Sequence, residues 1–329
     1  MLLGRSLCRL IVRPLHLAAS FMSATDNNAV PMLLLSTSGV PASIQSWAMS
    51  SHVQLPSSSN NDAILPLTKL RTQHLGRHVL YGESLPSTQT LLQRVSLELR
   101  SADVQPDFRL VCWTPSQHGG KGRGSNTWVS PQGCLTFSFQ SSLSDGTSLP
   151  FAQYLVSLAL VRTVKSFAAA TPTSVYIKWP NDLYANNLKL GGILCQSEYF
   201  QGQFHVTTGI GINVSNNNPT ICLNQLLPSP ITKEAFLVEF CNVFEPMEEQ
   251  FKAQGFAPFV EEYTANWLHT NQVVQVQGDK PGEPAMKATI QGLTDTGCLL
   301  ATSDSGQKYE LYPDGNSFDF FAGLLKRKL

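Results

Sequence analysis

Gln117-His-Gly-Gly-Lys-Gly-Arg-Gly-Ser-Asn-Thr-Trp128 interleaves four glycines with the cations Lys121 and Arg123 and ends on an indole. Glycine lets the backbone approach an anion closely, the two cations supply charge, and Trp128 closes the segment with a flat apolar face. A charged ligand carrying a ring would be held this way. A glycine-rich run is also what an ordinary surface loop looks like, so its neighbours decide the reading. Upstream, Phe108-Arg-Leu-Val-Cys-Trp113 reads as a buried strand; downstream, Cys134-Leu-Thr-Phe-Ser-Phe139 reads as a second. A Walker loop or a dinucleotide fingerprint would lead into a helix. This run joins strand to strand, so Lys121, Arg123 and backbone N–H groups must neutralise an anion without a helix terminus behind them.

Working outward, Phe151 to Ala170 is too apolar for a surface helix and too interrupted for a membrane span, which predicts a central helix buried on a sheet. A strand at Val175-Tyr-Ile-Lys-Trp179 stops at Pro180-Asn-Asp182, and two more are predicted at 190–200 and 204–214. A lysine on a strand is usually a solvated edge charge. Lys178 and Lys189 together flank an Asn-Asp turn in a chain with few charges, and that pairing favours a site. Gly209-Ile-Gly-Ile-Asn213 crowds glycine into a strand, which implies close approach by a ligand or another backbone. Before the loop, Val79-Leu-Tyr81 reads as a strand and Ser87 or Thr88 as the N-cap of a helix through residue 99. The same hydroxyls could bind a polar ligand head.

In this order, Gly120-Lys-Gly-Arg-Gly-Ser-Asn-Thr-Trp128, Lys178-Trp-Pro-Asn-Asp-Leu183, Lys189-Leu-Gly-Gly-Ile-Leu194 and Gly209-Ile-Gly-Ile-Asn213 resemble the biotin protein ligases, called holocarboxylase synthetases in eukaryotes. The resemblance covers roughly residues 84–329 and is nearest to plant-type monofunctional members. Lys121 stands where the family loop commonly has arginine, and Ser125-Asn126 replaces a later Gly-Arg pair. The resemblance implies an α+β fold, a mixed or antiparallel sheet packed with helices, like class II aminoacyl-tRNA synthetases, followed by a small SH3-like β-barrel. It implies that biotin's carboxylate attacks the α-phosphate of ATP, and that a lysine on a biotin carboxyl carrier domain, such as that of acetyl-CoA carboxylase, then takes biotin from biotinyl-AMP. Carried over by motif, Ser87, Thr88 and Gln117 bind the biotin head, and Lys121, Gly122 and Arg123 cover the biotin and phosphoryl region. Lys189 and Arg123 are the expected catalytic groups. Trp128, Lys178, Asn181 and Asn213 fall on the ATP side, with Asp182 placing Mg2+. No covalent enzyme intermediate is required. The glycine-rich run is expected to open and close as a lid over the reactive anhydride.

A lipoate ligase shares that fold and chemistry, but its Arg-Arg-x-Ser-Gly-Gly-Gly pattern does not occur here. The presence of Arg123, Lys189 and Asn213 argues against a binding protein that kept the fold and lost catalysis. Balanced charge, 23 basic against 23 acidic residues, argues against nucleic acid as a partner, and no apolar run reaches the length of a membrane span. Seven scattered cysteines without a C-x-x-C pair indicate reduced thiols.

The 329 residues divide into three expected parts. Residues 1–65 form a targeting presequence and linker. Arg5, Arg9 and Arg13 precede the first carboxylate, Asp26, as in an organellar (chloroplast or mitochondrial) address, while 27–61 are nearly uncharged and rich in Ser, Asn and Pro. Met22, Met32 or Met49 could start a shorter cytosolic form. No recognition helix for DNA is visible in this part. Residues 66–270 form the catalytic domain, including a helix over 231–254, and 271–329 the barrel of short alternating strands.

Overall fold

The computed structural model describes residues 32–37, 40, 42–50, 53–54, 64–101, 109–169, 171–216, 220–276, 286–312, 316–319 and 324–327. The presequence expected at 1–25 lies outside these residues. In chain order the elements are β1 (Met32–Ser36), α1 (Ala42–Ser50), β2 (Val53–Gln54), β3 (His78–Tyr81), β4 (Ser84–Leu85), α2 (Thr88–Ser101), β5 (Leu110–Thr114), β6 (Ser116–Gln117), β7 (Gly120–Lys121), β8 (Thr127–Trp128), β9 (Cys134–Leu143) and α3 (Leu149–Ala168). There follow β10 (Val175–Lys178), β11 (Asp182–Ala185), β12 (Leu188–Phe200), β13 (Gln203–Asn213), α4 (Lys233–Gln254), α5 (Val260–Ala265), β14 (Val273–Val276), β15 (Met286–Leu293), β16 (Leu299–Ser303), β17 (Lys308–Leu311), β18 (Asn316–Asp319) and β19 (Leu324–Arg327).

A mixed nine-stranded sheet, in the order β10-β11-β12-β13-β9-β5-β3-β1-β2, carries the fold. Only β3–β5 and β1–β2 pair in parallel; the other neighbours are antiparallel. Alternation along β9 divides its two faces. Phe137 and Phe139 turn to one side, where they meet Phe240 and Phe244 of α4, and α3 packs beside them with Tyr154, Leu155, Leu158 and Val161 buried. Thr136 and Ser138 turn to the other face and stay free to build a site. Side chains fix the helix ends. Ser87 Oγ accepts the Thr90 N–H (3.3 Å) at the start of α2 and Thr232 Oγ1 accepts the Ala235 N–H (3.1 Å) at the start of α4. Glu245 of α4 accepts the amides of Gln73, His74 and Leu75, anchoring the loop before β3.

The segment read as a linker is in part not one. β1 pairs with β3, and Leu34, Ile44, Ala48 and Val53 join Leu80, Leu92, Val95 and Leu99 in a second apolar cluster on the α2 side. Among the described residues the nine-stranded sheet therefore begins at Met32. Composition averaged over a window hides a five-residue strand whose partner lies more than forty positions away. The turn read at Pro180-Asn-Asp182 is shorter than expected, because Asp182 already opens a strand, Asp182–Ala185, closed by antiparallel pairing on both sides. The C-terminal strands form a separate sheet, β17-β16-β15-β14-β19-β18, in the place of the expected SH3-like barrel. Tyr154 Oη donates to the Gly297 carbonyl at 2.6 Å, tying that sheet to α3. Among the described residues no helix is long and apolar enough to cross a membrane.

Candidate active site

Glycine makes the floor of the site. Strand register sets Asp182, Gly192, Gly211 and Thr136 in one row across four strands, with Gly209 and Ser138 paired in the next. A Cβ on Gly211 would fall 2.3 Å from Trp128 Cε2, and one on Gly192 3.4 Å from Trp128 Cζ3. The indole of Trp128 therefore lies against bare backbone. The close approach expected for Gly209 to Asn213 is made first by a side chain of the protein's own loop.

That loop is a small hairpin, β7 paired with β8, closed by hydrogen bonds from Gly122 N–H to Asn126 O (2.8 Å) and from Asn126 N–H to Arg123 O (3.2 Å). It roofs a cleft of about 360 Å³. The cleft has a polar end and a cationic end. At the polar end Gln117 Oε1 accepts from Thr88 N–H (3.0 Å) and Thr88 Oγ1 (3.3 Å), while Thr88 and Ser138 hydroxyls lie 2.9 Å apart. Ser87 is both the helix cap and part of the lining, so the two roles weighed from sequence coexist.

At the other end Lys121, Arg123, Lys178 and Lys189 line the cleft, with Asp182 as the lining carboxylate. Lys189 Nζ lies 2.8 Å from Asp182 Oδ1 and 5.6 Å from the centre of the Trp128 ring. Lys178 Nζ sits 5.2 Å over the Tyr184 ring. Arg123 Nη1 donates to Asn181 Oδ1 at 3.2 Å, linking the hairpin to the turn after β10. Asn181 is itself pinned to Ile193 by Nδ2–H to Ile193 O (2.9 Å) and Ile193 N–H to Asn181 O (2.9 Å).

Behind that turn stands a buried polar chain. His269 Nε2 accepts the Trp179 N–H at 2.9 Å, and its Nδ1 lies 2.8 Å from Gln272 Oε1. Burial, seconded by the charge of Lys178, lowers the His269 pKa to about 4, so the ring is neutral with its proton on Nδ1. Trp179 Nε1 donates to Tyr154 Oη at 2.7 Å. The Trp179-Pro180 peptide is cis.

Most of the expected site residues meet in this one cleft: Ser87, Thr88, Gln117, Lys121, Gly122, Arg123, Trp128, Lys178, Asn181, Asp182 and Lys189. Asn213 does not line it. Its Nδ2 donates to Thr220 Oγ1 (2.7 Å) and Ile221 O (3.1 Å), and its Oδ1 accepts from Asn216 (2.6 Å), so the side chain is spent in bracing the end of β13. Sequence reasoning passed over Gln89, Thr136, Ser138 and Tyr312, which also line the cleft. The alternation Thr136-Phe-Ser138 carried a signal for two of them. Nothing local marked Tyr312, which comes from the small domain.

Residues 81–213 match the profile of the biotin/lipoate A/B protein ligase family. The chain is 42% identical over 274 residues to biotin–protein ligase 1, chloroplastic, of Arabidopsis thaliana, covering 80% of this chain and 72% of that one. Biotin–protein ligase 2 of the same plant is 41% identical, with 80% and 81% covered. Among solved structures, the fold is similar to the Aquifex aeolicus biotin protein ligase in complex with biotin and ATP: TM-score 0.56, 21% identity, 76% of this chain and 99% of that chain.

Proposed function

The chain belongs to the biotin protein ligases, and we propose that its cleft joins biotin to ATP at the cationic end before passing biotin to a protein lysine. Four cationic side chains around one paired carboxylate carry this reading. A carboxylate and a polyphosphate repel each other, and the barrier to bringing them together falls when fixed cations await the charge.

In the first half-reaction a biotin carboxylate oxygen attacks the α-phosphorus of ATP; the new P–O bond forms as the bond to pyrophosphate breaks. Lys189 faces the carboxylate and α-phosphate, and Arg123, on the hairpin, covers them. Lys121 and Lys178 meet the outer phosphates. Trp128 offers its face to the ligand's apolar part, with the adenosine beyond it; Asn213 serves that side by holding the strand end. In the second half-reaction a neutral lysine amine attacks the acyl carbon, AMP leaves, and the amide forms after the amine loses its proton.

Asp182 alone does not make a protein-held magnesium site. Its Oδ1 is paired with Lys189, and among the described residues no group of three His, Cys, Asp or Glu side chains could hold a metal. Magnesium would therefore enter with ATP, bound to its phosphates, while Asp182 sets the position of Lys189.

Biotin carboxyl carrier domains are the protein substrates on this reading, and the chloroplastic name of one relative, with the basic segment before Asp26, supports an organellar site of action. The test is exchange of labelled pyrophosphate into ATP by the full chain with biotin, lipoate or no acid. Biotin-dependent exchange is expected. Exchange with lipoate alone would move the protein to the sister activity, and no exchange by a folded, biotin-binding chain would make it a binding protein.

A further inference from the structure

Gln89 is 4% exposed, lines the cleft, and its Oε1 has no hydrogen-bond partner among the described residues. The orientation of its amide is not arbitrary. Nε2 lies 2.9 Å from the Thr207 carbonyl and 3.2 Å from Gln196 Oε1, and a backbone carbonyl can only accept, so the nitrogen must face it. The oxygen is thereby turned over Gly209, where a Cβ would come within 2.6 Å of it and within 3.3 Å of Ser138 Oγ. A second buried polar atom without a partner among the described residues, the Thr136 hydroxyl, stands two residues along the same face of β9 from Ser138.

An orphaned acceptor costs folding energy, roughly 1–3 kcal/mol, unless something bound there donates to it. The ligand must then present a hydrogen-bond donor, an N–H or an O–H, at the polar end of the cleft. Taking the biotin ligase reading as its basis, we infer that Gln89 Oε1 accepts one ureido N–H of biotin and that this contact sets the choice of acid. Biotin's ring offers two N–H donors; the dithiolane ring of lipoate offers none. A site built to hydrogen-bond a donor rejects an analogue lacking it, because the acceptor is left buried and unpaired. Gly209 belongs to the same device, since any side chain there would occupy the place of the Gln89 oxygen.

The experiment measures biotin Kd by calorimetry, and biotin-dependent pyrophosphate exchange, for the full-length wild type and Gln89→Met. The second ligands are the two cyclic carbamate analogues of biotin, in which one or the other ureido N–H is replaced by oxygen. The wild type is expected to bind one carbamate at least about 30-fold more weakly than biotin, since the swap sets oxygen against oxygen. Gln89→Met should bind biotin about 10- to 100-fold more weakly, with the KM for ATP and the unfolding temperature little changed, and should lose most of its preference for biotin over that carbamate. Wild-type biotin affinity in Gln89→Met, or an undiminished carbamate penalty, would overturn the inference while leaving the ligase reading in place. If Gln89→Met does not fold, equal wild-type affinity for biotin and both carbamates overturns it equally. No biotin-dependent exchange by the wild type would remove the ligase reading and this inference with it.

Discussion

The ammonium of Lys189 lies 2.8 Å from Asp182 Oδ1, across the bulge where β11 and β12 change register. The pair is partly exposed, so it contributes little to stability. On the proposed function its consequence is positional: the pair holds the ammonium beside the glycine floor, where that reading has the carboxylate and α-phosphate meet. Lys189→Met is expected to slow biotin-dependent pyrophosphate exchange on the order of 10²- to 10³-fold, the cost of removing one preorganised donor. Asp182→Asn should lose less, roughly tenfold to 10²-fold, by misplacing the same ammonium. Equal rates in wild type and Lys189→Met would refute the assignment.

Gly211→Ala should act on Trp128. The added methyl would sit 2.3 Å from the indole, which must leave the floor. Affinity for ATP, on whose side Trp128 is assigned, should fall by about tenfold or more, with a stability loss of about 1–3 kcal/mol if the strand gives way instead. Gly192→Ala, whose nearest ring atom is 3.4 Å away, should be milder. Calorimetry on both variants decides it; Gly192→Ala being the worse of the two would contradict the geometry.

Arg123 couples the hairpin to the Asn181 turn. Arg123→Ala is expected to form the adenylate poorly and to release what it forms, since biotinyl-AMP is a mixed anhydride that water destroys when the site opens. Chromatography of free biotinyl-AMP against protein-bound biotin measures the leak. Unchanged leakage and turnover would remove the lid role.

Stability should fall between pH 6.5 and about 4. Burial lowers the pKa of His269 to about 4, and burial with the neighbouring Arg77 does the same for His78. The unfolded chain therefore binds more protons in this window, and the folded state loses stability as pH falls through it. The fully buried His269 ring accounts for up to about 1.4 kcal/mol per pH unit crossed, and the partly exposed His78 for less. Thermal unfolding against pH should show a shallower acid limb for His269→Gln. An identical limb would mean that the ring does not titrate as its burial requires.

Truncation before Met32 should leave the fold intact, whereas a chain beginning at Met49 should be destabilised. The longer cut removes β1 and the buried Leu34, Leu35 and Ile44, each worth about 1.5–3 kcal/mol on full burial. It also uncovers Leu80 and Leu92 of the second cluster. Denaturant midpoints of the two truncated chains check this, and equal midpoints would show that β1 adds nothing.

Elements with strong periodicity and residues with singular chemistry could be read from the order of amino acids alone. The apolar run of α3, the glycines of β13 and the order of the lysine, asparagine and glycine motifs were legible because each is a local pattern with a local physical meaning. The remaining features depend on partners far away in the chain. β1 is a strand because β3 offers it an edge, and Asp182–Ala185 is one because β10 and β12 flank it. Asn213 left the cleft because Thr220, Ile221 and Asn216 claim its amide. Gln89 entered it because Thr207 fixes its nitrogen from 118 positions away and leaves its oxygen over Gly209. Spacing along a chain reports which groups are available, but the direction in which a polar atom points is set by whatever satisfies the rest of its side chain, and that is known only once the sheet has closed.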